Sequence, residues 1–199
     1  MKNIGIVSFG KAGNIYNIQK ALEKVGANVS VLTEAKQFNT VDKLILPGVG
    51  NFSDVMTEIK NKNLLSPLRE AIANKPTLGI CLGMQILGSI GFEGGETVGL
   101  DLVQAEVKEI KCHAQVPHMR FNTLQVQKKS TLLKTIEDEE FYFMHSYEMV
   151  NYTDILSLTE YAGHPFVSAV EKGMLFGVQF HPEKSRQAGL ELFKNFVSI

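Results

Sequence analysis

Short apolar runs alternate with segments of helical period along the first eighty residues. Ile4-Gly5-Ile6-Val7 has no polar position and predicts a buried strand. The following stretch sets Ile15, Ile18, Leu22 and Val25 on one helical face before Gly26 stops the helix. Asn28 to Leu32 predicts a second strand and Lys43 to Leu46 a third. Ser66-Pro67 has the N-cap and first-turn chemistry of a helix that continues through Leu68 and Ile72, and Pro76 to Ile80 is the next strand. Strands that are apolar almost throughout, separated by helices, predict a parallel sheet covered on both faces.

From about Val103 the texture changes to β-rich pieces at short spacing: Val103 to Ile110, Thr123 to Val126, Phe141 to Met144, Phe166 to Val170 and Leu175 to Phe180. These predict meander or hairpin strands. A last amphipathic helix is expected near Gln187 to Val197, with Leu190, Phe193, Phe196 and Val197 facing inward. The expected fold is α/β, with a mostly parallel central sheet flanked by helices and an antiparallel β extension. At 199 residues, with no repeat or linker, residues 1–199 are expected to share one core as a single domain.

Charge narrows the choice of partner. Twenty basic and 21 acidic residues give a net charge of -1, so no bulk field draws the chain to nucleic acid or to anionic lipid. The apolar run after Met1 is too short for a signal peptide or a membrane span, and the expected compartment is the cytoplasm. The two cysteines, Cys81 and Cys112, form no CxxC pair and have no metal-ligand spacing, so neither a disulfide framework nor a zinc site is expected. Asn51-Phe52-Ser53 and Asn151-Tyr152-Thr153 match the glycosylation sequon, a chance match where no secretory signal accompanies it.

Candidate chemistry begins at Cys81. In Gly79-Ile80-Cys81-Leu82-Gly83 the cysteine stands between an apolar strand and a helix-forming segment, with glycine two residues before and two after, which is the spacing of a nucleophile elbow. A helix N-terminus beside it would favour the thiolate, and the Leu82 N–H would point toward an oxyanion. The turn alone is equally the signature of a buried structural cysteine. A cysteine nucleophile needs a base, and His181 follows the strand Leu175 to Phe180, at the sheet edge where the elbow is expected. Pro182 fixes a turn that can bring Glu183 back onto the ring as the orienting carboxylate of a triad.

These segments carry a resemblance. Gly79 to Gln85 and Gln179 to Ser185 resemble the two signature segments of class I glutamine amidotransferases, and Pro47-Gly48-Val49-Gly50 resembles that family's oxyanion loop. Pro117-His118-Met119 and His145-Ser146-Tyr147 narrow the match to glutaminase subunits that feed a separate synthase. The resemblance implies that Cys81, His181 and Glu183 hydrolyse L-glutamine through a thioester, with Gly48, Val49, Gly50 and Leu82 at the oxyanion. It implies that Gln85, Glu93, His145, Ser146 and Tyr147 hold the glutamine, with no cofactor or metal for this chain. It further implies a heterodimer with a (βα)₈-barrel synthase subunit of histidine biosynthesis, which receives the ammonia, with Met119, Arg120, Phe121, Asn122 and Lys184 at the partner interface.

Arg120-Phe121 stands where the family commonly has Gly-Trp, and Ser8-Phe9 where it has Asp-Tyr. A paralogue supplying ammonia to a sugar amidotransferase of surface-polysaccharide synthesis is therefore a second reading. A non-catalytic regulatory subunit and a stand-alone cysteine hydrolase are readings from other classes.

Overall fold

The computed structural model describes residues 2–10, 14–150 and 153–199, so Gly13 of the first loop and Asn151-Tyr152 of the second sequon lie outside the described residues. The first half is the expected alternation: β1 (Asn3–Val7), α1 (Ile15–Lys24), β2 (Asn28–Leu32), β3 (Lys43–Leu46), α2 (Phe52–Asn61), α3 (Leu65–Asn74), β4 (Thr77–Ile80) and the short α4 (Leu82–Gln85). After it come β5 (Ile90–Gly91), β6 (Thr97–Val98), β7 (Glu106–Glu109), β8 (His118–Thr123), β9 (Gln125–Val126), β10 (Glu140–His145) and β11 (Tyr147–Val150). The chain closes with β12 (Ile155–Tyr161), β13 (His164–Lys172), β14 (Leu175–Val178) and α5 (Arg186–Ser198).

An eight-stranded sheet in the order β2-β1-β3-β4-β14-β13-β12-β9 joins the two halves. The strands β2, β1, β3, β4 and β14 run parallel, whereas β13, β12 and β9 extend the sheet antiparallel. Alternate residues of the parallel strands feed two separate clusters. Leu44 and Leu46 join α2 and α3 on one face, while Ile45, Leu78 and Ile80 join α1 and α5 on the other. Burial on both faces is the reason β1, β3, β4 and β14 are apolar almost throughout, whereas the edge strand β2 is mostly exposed and keeps Asn28 and Ser30.

Three expectations change. The helix α2 was not anticipated from the sequence, yet Asn51, noted only as a sequon asparagine, is its N-cap and accepts from the Ser53 and Asp54 N–H groups. Only Glu106–Glu109 of the Val103–Ile110 run is strand. On α5 the buried residues are Ala188, Gly189, Leu192, Phe193 and Phe196, whereas Leu190 and Val197 are half-buried. The face is turned because Gly189 fits against Pro182, where a Cβ would lie 1.8 Å from the Pro182 carbonyl oxygen.

A second, two-stranded sheet pairs β8 with β10 and sets His118 opposite His145. His118 is fully buried and stacks on Tyr161 and Phe143 at centroid distances of 4.2 and 5.1 Å. Proton positions follow from the partners. The Tyr147 carbonyl can only accept, so His145 donates to it from Nδ1 at 2.9 Å. The neutral ring of His145 then accepts at Nε2, and Nδ1 of His118 donates to it at 3.2 Å. Burial, with the nearby Arg120 charge, lowers the pKa of His118 to about 4. Burial also dominates at His145, outweighing the Tyr147 bond with help from His118 and His181, and lowers it to about 3.

The sign of the consequence is fixed. Unfolded histidines take a proton near ~6.5, so below that pH the unfolded chain binds more protons than the folded one. The stability due to these neutral rings is present above that pH and drains as pH falls toward about 4 and about 3. We predict that His118→Phe has a lower melting temperature than wild type at pH 7 but loses less of it between pH 7 and pH 4.5. Parallel melting curves across that range would contradict the neutral pair.

Candidate functional site

Cys81 is the residue between β4 and α4. Its backbone has φ 53° and ψ -111°, a conformation that costs an L-residue on the order of 1–3 kcal/mol and persists only where its surroundings impose it. The constraint is visible on both sides. The Cys81 N–H donates to Val178 of β14 at 2.7 Å, and the Cys81 carbonyl accepts from Met84 and Gln85. One expectation weakens here: α4 spans only 4 residues, so its dipole contributes little to a thiolate.

The imidazole supplies what the helix does not. Val178 is paired with Ile80, so the next residues along β14 run beside the elbow and His181 arrives at the same edge. Pro182 opens a 3-10 turn through Lys184, and Glu183 folds back so that its Oε1 lies 2.7 Å from Nδ1 of His181. Both side chains are buried. Burial alone would lower the His181 pKa. Cys81 and Glu183 together outweigh it and raise the value to about 10, which leaves the ring protonated beside the sulfur. Nε2 of His181 is buried without a hydrogen-bond partner among the described residues, and Cys81 is the group that most strongly raises its pKa. Catalytic hydrogen bonds commonly tighten only when substrate is present.

Several groups that hold this arrangement had no local sequence signal. Asn14, in a left-handed backbone conformation, donates from Nδ2 to Oε1 of Glu183. Ser185 donates to the His181 carbonyl at 2.7 Å and accepts from the Tyr142 N–H at 2.9 Å, while the His181 N–H donates to the Tyr142 carbonyl at 2.8 Å. The turn bearing His181 is thus laced to β10, the strand that carries His145.

Gly48 and Gly83 bring the candidate oxyanion loop against the elbow. A Cβ on Gly83 would lie 1.8 Å from the Leu46 carbonyl oxygen, and one on Gly48 would lie 2.5 Å from the Gly83 nitrogen. As the first residue of α4, Leu82 has no helical acceptor four residues back, so its N–H is spare. Among the described residues, the Val49 and Gly50 N–H groups also make no hydrogen bond.

These residues face a cleft of ≈ 320 Å³, at the small end of the range for small-molecule sites, about 300–1,000 Å³. Val49, Gly50, Cys81, Leu82, Gln85, Glu93, His145, Ser146 and Tyr147 all line it, together with Met119 and Met144. Glu93 accepts the Phe52 N–H at 2.7 Å, and burial raises its pKa against that bond. The Nε2 of Gln85 donates both to the Tyr147 carbonyl and to Oε1 of Gln179, each at 2.9 Å. Only its Oε1 is left to face a ligand.

The expected interface segment divides by strand alternation. His118, Arg120 and Asn122 point one way: Arg120 lies over the Tyr161 ring and Asn122 donates to the Glu160 carbonyl. Met119 and Phe121 point the other way, with Met119 54% exposed at the cleft mouth. Phe121 meets Tyr142 edge-on and carries the Arg186 guanidinium 4.3 Å above its ring, while Lys184 sits over the Tyr142 ring. Tyr142 and Arg186 therefore share the face of Phe121 and Lys184, and Arg120 does not. From the close approach at the elbow we predict that Gly83→Ala destabilises the fold by about 3 kcal/mol, because the added methyl meets backbone that cannot yield. A thermal melt unchanged from wild type would contradict this.

Comparison with known proteins agrees with this geometry. Residues 8–199 match the family model described as glutamine amidotransferase class-I. The imidazole glycerol phosphate synthase subunit HisH of Moorella thermoacetica is 42% identical over 200 residues, covering 98% of this chain and 94% of its own. Subunit HisH 1 from Campylobacter jejuni (strain RM1221) is 38% identical, covering 95% and 96%. Among solved structures, PurLQS from Thermotoga maritima shares the fold with a TM-score of 0.78 at 16% identity, covering 100% of this chain and 99% of that one. With a family model matched from residue 8 to residue 199 and relatives about 40% identical across nearly the whole length, the chain belongs to the class I glutamine amidotransferases.

Proposed function

We propose that this chain is the glutaminase subunit of an imidazole glycerol phosphate synthase, hydrolysing L-glutamine at Cys81 and passing the ammonia to a synthase subunit in histidine biosynthesis. The observation that carries the chemistry is the buried His181 imidazole, bonded to Glu183 through Nδ1 and charged beside the Cys81 sulfur. The identity to HisH subunits supports the pathway.

In this reading the Cys81 thiolate attacks the side-chain amide carbon of glutamine, and a C–S bond forms as the carbonyl becomes an oxyanion. N–H groups of Leu82 and the Val49–Gly50 loop take up that charge. The oxyanion collapses, the C–N bond breaks, and His181 gives its Nε2 proton to the departing nitrogen, which leaves as ammonia. The neutral imidazole then takes a proton from water as the water attacks the thioester. The C–S bond breaks, glutamate leaves and the thiolate–imidazolium pair is restored. Glu93, whose half-buried carboxylate favours a cationic neighbour, and Oε1 of Gln85 accept from the substrate ammonium. Ser146, Tyr147 and the neutral His145 wall the cleft.

The chain acts as one domain in a heterodimer with a (βα)₈-barrel synthase in the cytoplasm. Among the described residues no helix is long and apolar enough to cross a membrane. Docking uses the face of Met119, Phe121, Tyr142, Lys184 and Arg186, which borders the cleft. Arg120 lies on the other side of β8, so its replacement of the family's glycine leaves that face intact. This favours the histidine-pathway partner over a sugar amidotransferase.

Two outcomes test the reading. Cys81→Ala is expected to abolish glutamine-dependent turnover of the complex while leaving ammonia-dependent synthesis within about twofold of wild type. Glutamine hydrolysis that survives the substitution would remove Cys81 from the mechanism. Phe121→Ala is expected to weaken association with the synthase subunit about tenfold or more, whereas Arg120→Ala changes it by less than about threefold. A titration in which Arg120→Ala is the more damaging substitution would overturn the assigned face.

A further inference from the structure

Gln179 is fully buried at the end of β14, beside the elbow and outside the wall of the cleft. Its amide orientation follows from a sequence of forced roles. The Tyr147 carbonyl can only accept, so Gln85 must turn Nε2 toward it at 2.9 Å. That same nitrogen lies 2.9 Å from Gln179, which must therefore present Oε1 there. The Gln179 Nε2 is left facing Sγ of Cys81 at 3.5 Å. A flipped amide would set donor against donor at Gln85 and a lone pair against the sulfur. The Nδ1–H of His145, donating to the same Tyr147 carbonyl, fixes the far end of the relay.

Cys81 has two neighbours of opposite preference. As a thiol it can donate to the Met144 carbonyl at 3.8 Å. As a thiolate it loses that bond and meets the carbonyl's negative end, whereas the Gln179 N–H becomes a donor to a full charge and strengthens. The two contacts together favour the anion over the thiol. They also aim its charge at an amide that no substrate has to displace.

We propose that Gln179 is a positioning residue whose Nε2–H donates to the Cys81 sulfur, holding the thiolate in place before attack, with Gln85 and Tyr147 setting its orientation. The inference rests on Cys81 being the nucleophile.

The test follows alkylation of Cys81 by iodoacetamide as a function of pH in the full chain, read by peptide mass so that Cys112 is counted separately. In Gln179→Met, similar in size and without a donor, the midpoint of the profile is expected to rise by about one pH unit, making alkylation about tenfold slower below it. With the synthase subunit present, kcat on glutamine falls about tenfold while KM stays within about threefold, because Gln179 does not touch the cleft. Gln179→Glu keeps an acceptor for Gln85 but puts a second oxygen on the sulfur, and its midpoint is expected to rise at least as far. A purely structural role predicts a lower melting temperature and a raised KM with an unmoved midpoint, and that result in a folded variant overturns the proposal. If Gln179→Met does not fold, Gln179→Glu decides alone. Failure of the underlying reading has a different signature, since glutamine turnover would then persist in Cys81→Ala whatever the Gln179 variants do.

Discussion

Parallel pairing of β4 with β14 sets the distances on which the site depends. With Ile80 opposite Val178, the residues that leave the two strand ends together are Cys81 on one and Gln179 to His181 on the other. The Cys81 N–H is spent on the Val178 carbonyl, which helps force the backbone into its costly conformation and turns the side chain off the sheet. A shift of register by one residue would carry His181 away from the elbow and take Phe180 out of the packing in which it now lies fully buried against Phe141 and Phe143. The aromatic packing of that strand and the placement of Cys81 beside His181 are therefore one constraint.

Within a few ångströms the same side-chain type is driven to opposite charge states. His181, His118 and His145 are all buried, and burial opposes a positive charge on each. Only His181 of the three has neighbours that favour its charge, Cys81 on one side and Glu183 at Nδ1, and together they overcome the desolvation. His118 and His145 face each other, aromatic rings and the Tyr147 carbonyl, and the one bond that favours a charge, from His145 to that carbonyl, is too weak to offset the loss of water. The two states support each other, because the charge on His181 itself helps to keep His145 neutral.

The parts of this site that were legible in the sequence are those written within a few residues of chain. The glycine spacing around Cys81 reports its own turn, and His181-Pro182-Glu183 folds back on itself over a single 3-10 turn. Gln179 and Ser185 lie inside the second signature segment, but their partners Cys81 and Tyr142 are 98 and 43 positions away, and no local pattern marks Asn14, an asparagine that will meet a carboxylate 169 positions away. The fold divides in the same manner. The central parallel strands announced themselves by being apolar on both faces, but the contact that turns α5 is made by Gly189, whose use is the absence of a side chain and which a hydrophobic pattern cannot register. The helix α2 was within reach: Asn51 caps it, and Val55, Met56 and Ile59 have helical spacing.

Strand β8 has one face in the hydrogen-bond chain that ends at Cys81 and the other on the surface beside the cleft. Its one face, through His118, ends in the relay that reaches Tyr147, Gln85, Gln179 and the Cys81 sulfur. Its other face presents Met119 at the cleft mouth and Phe121 in the ladder with Arg186, Tyr142 and Lys184. Tyr142 also trades backbone hydrogen bonds with the His181 turn. A subunit docked on that ladder would press on the strands that position both nucleophile and base, without touching glutamine. The stiffness of this two-stranded sheet, paired without interruption from His118–His145 to Thr123–Glu140, is what would carry such a contact inward. A lone surface loop in the same place would absorb it.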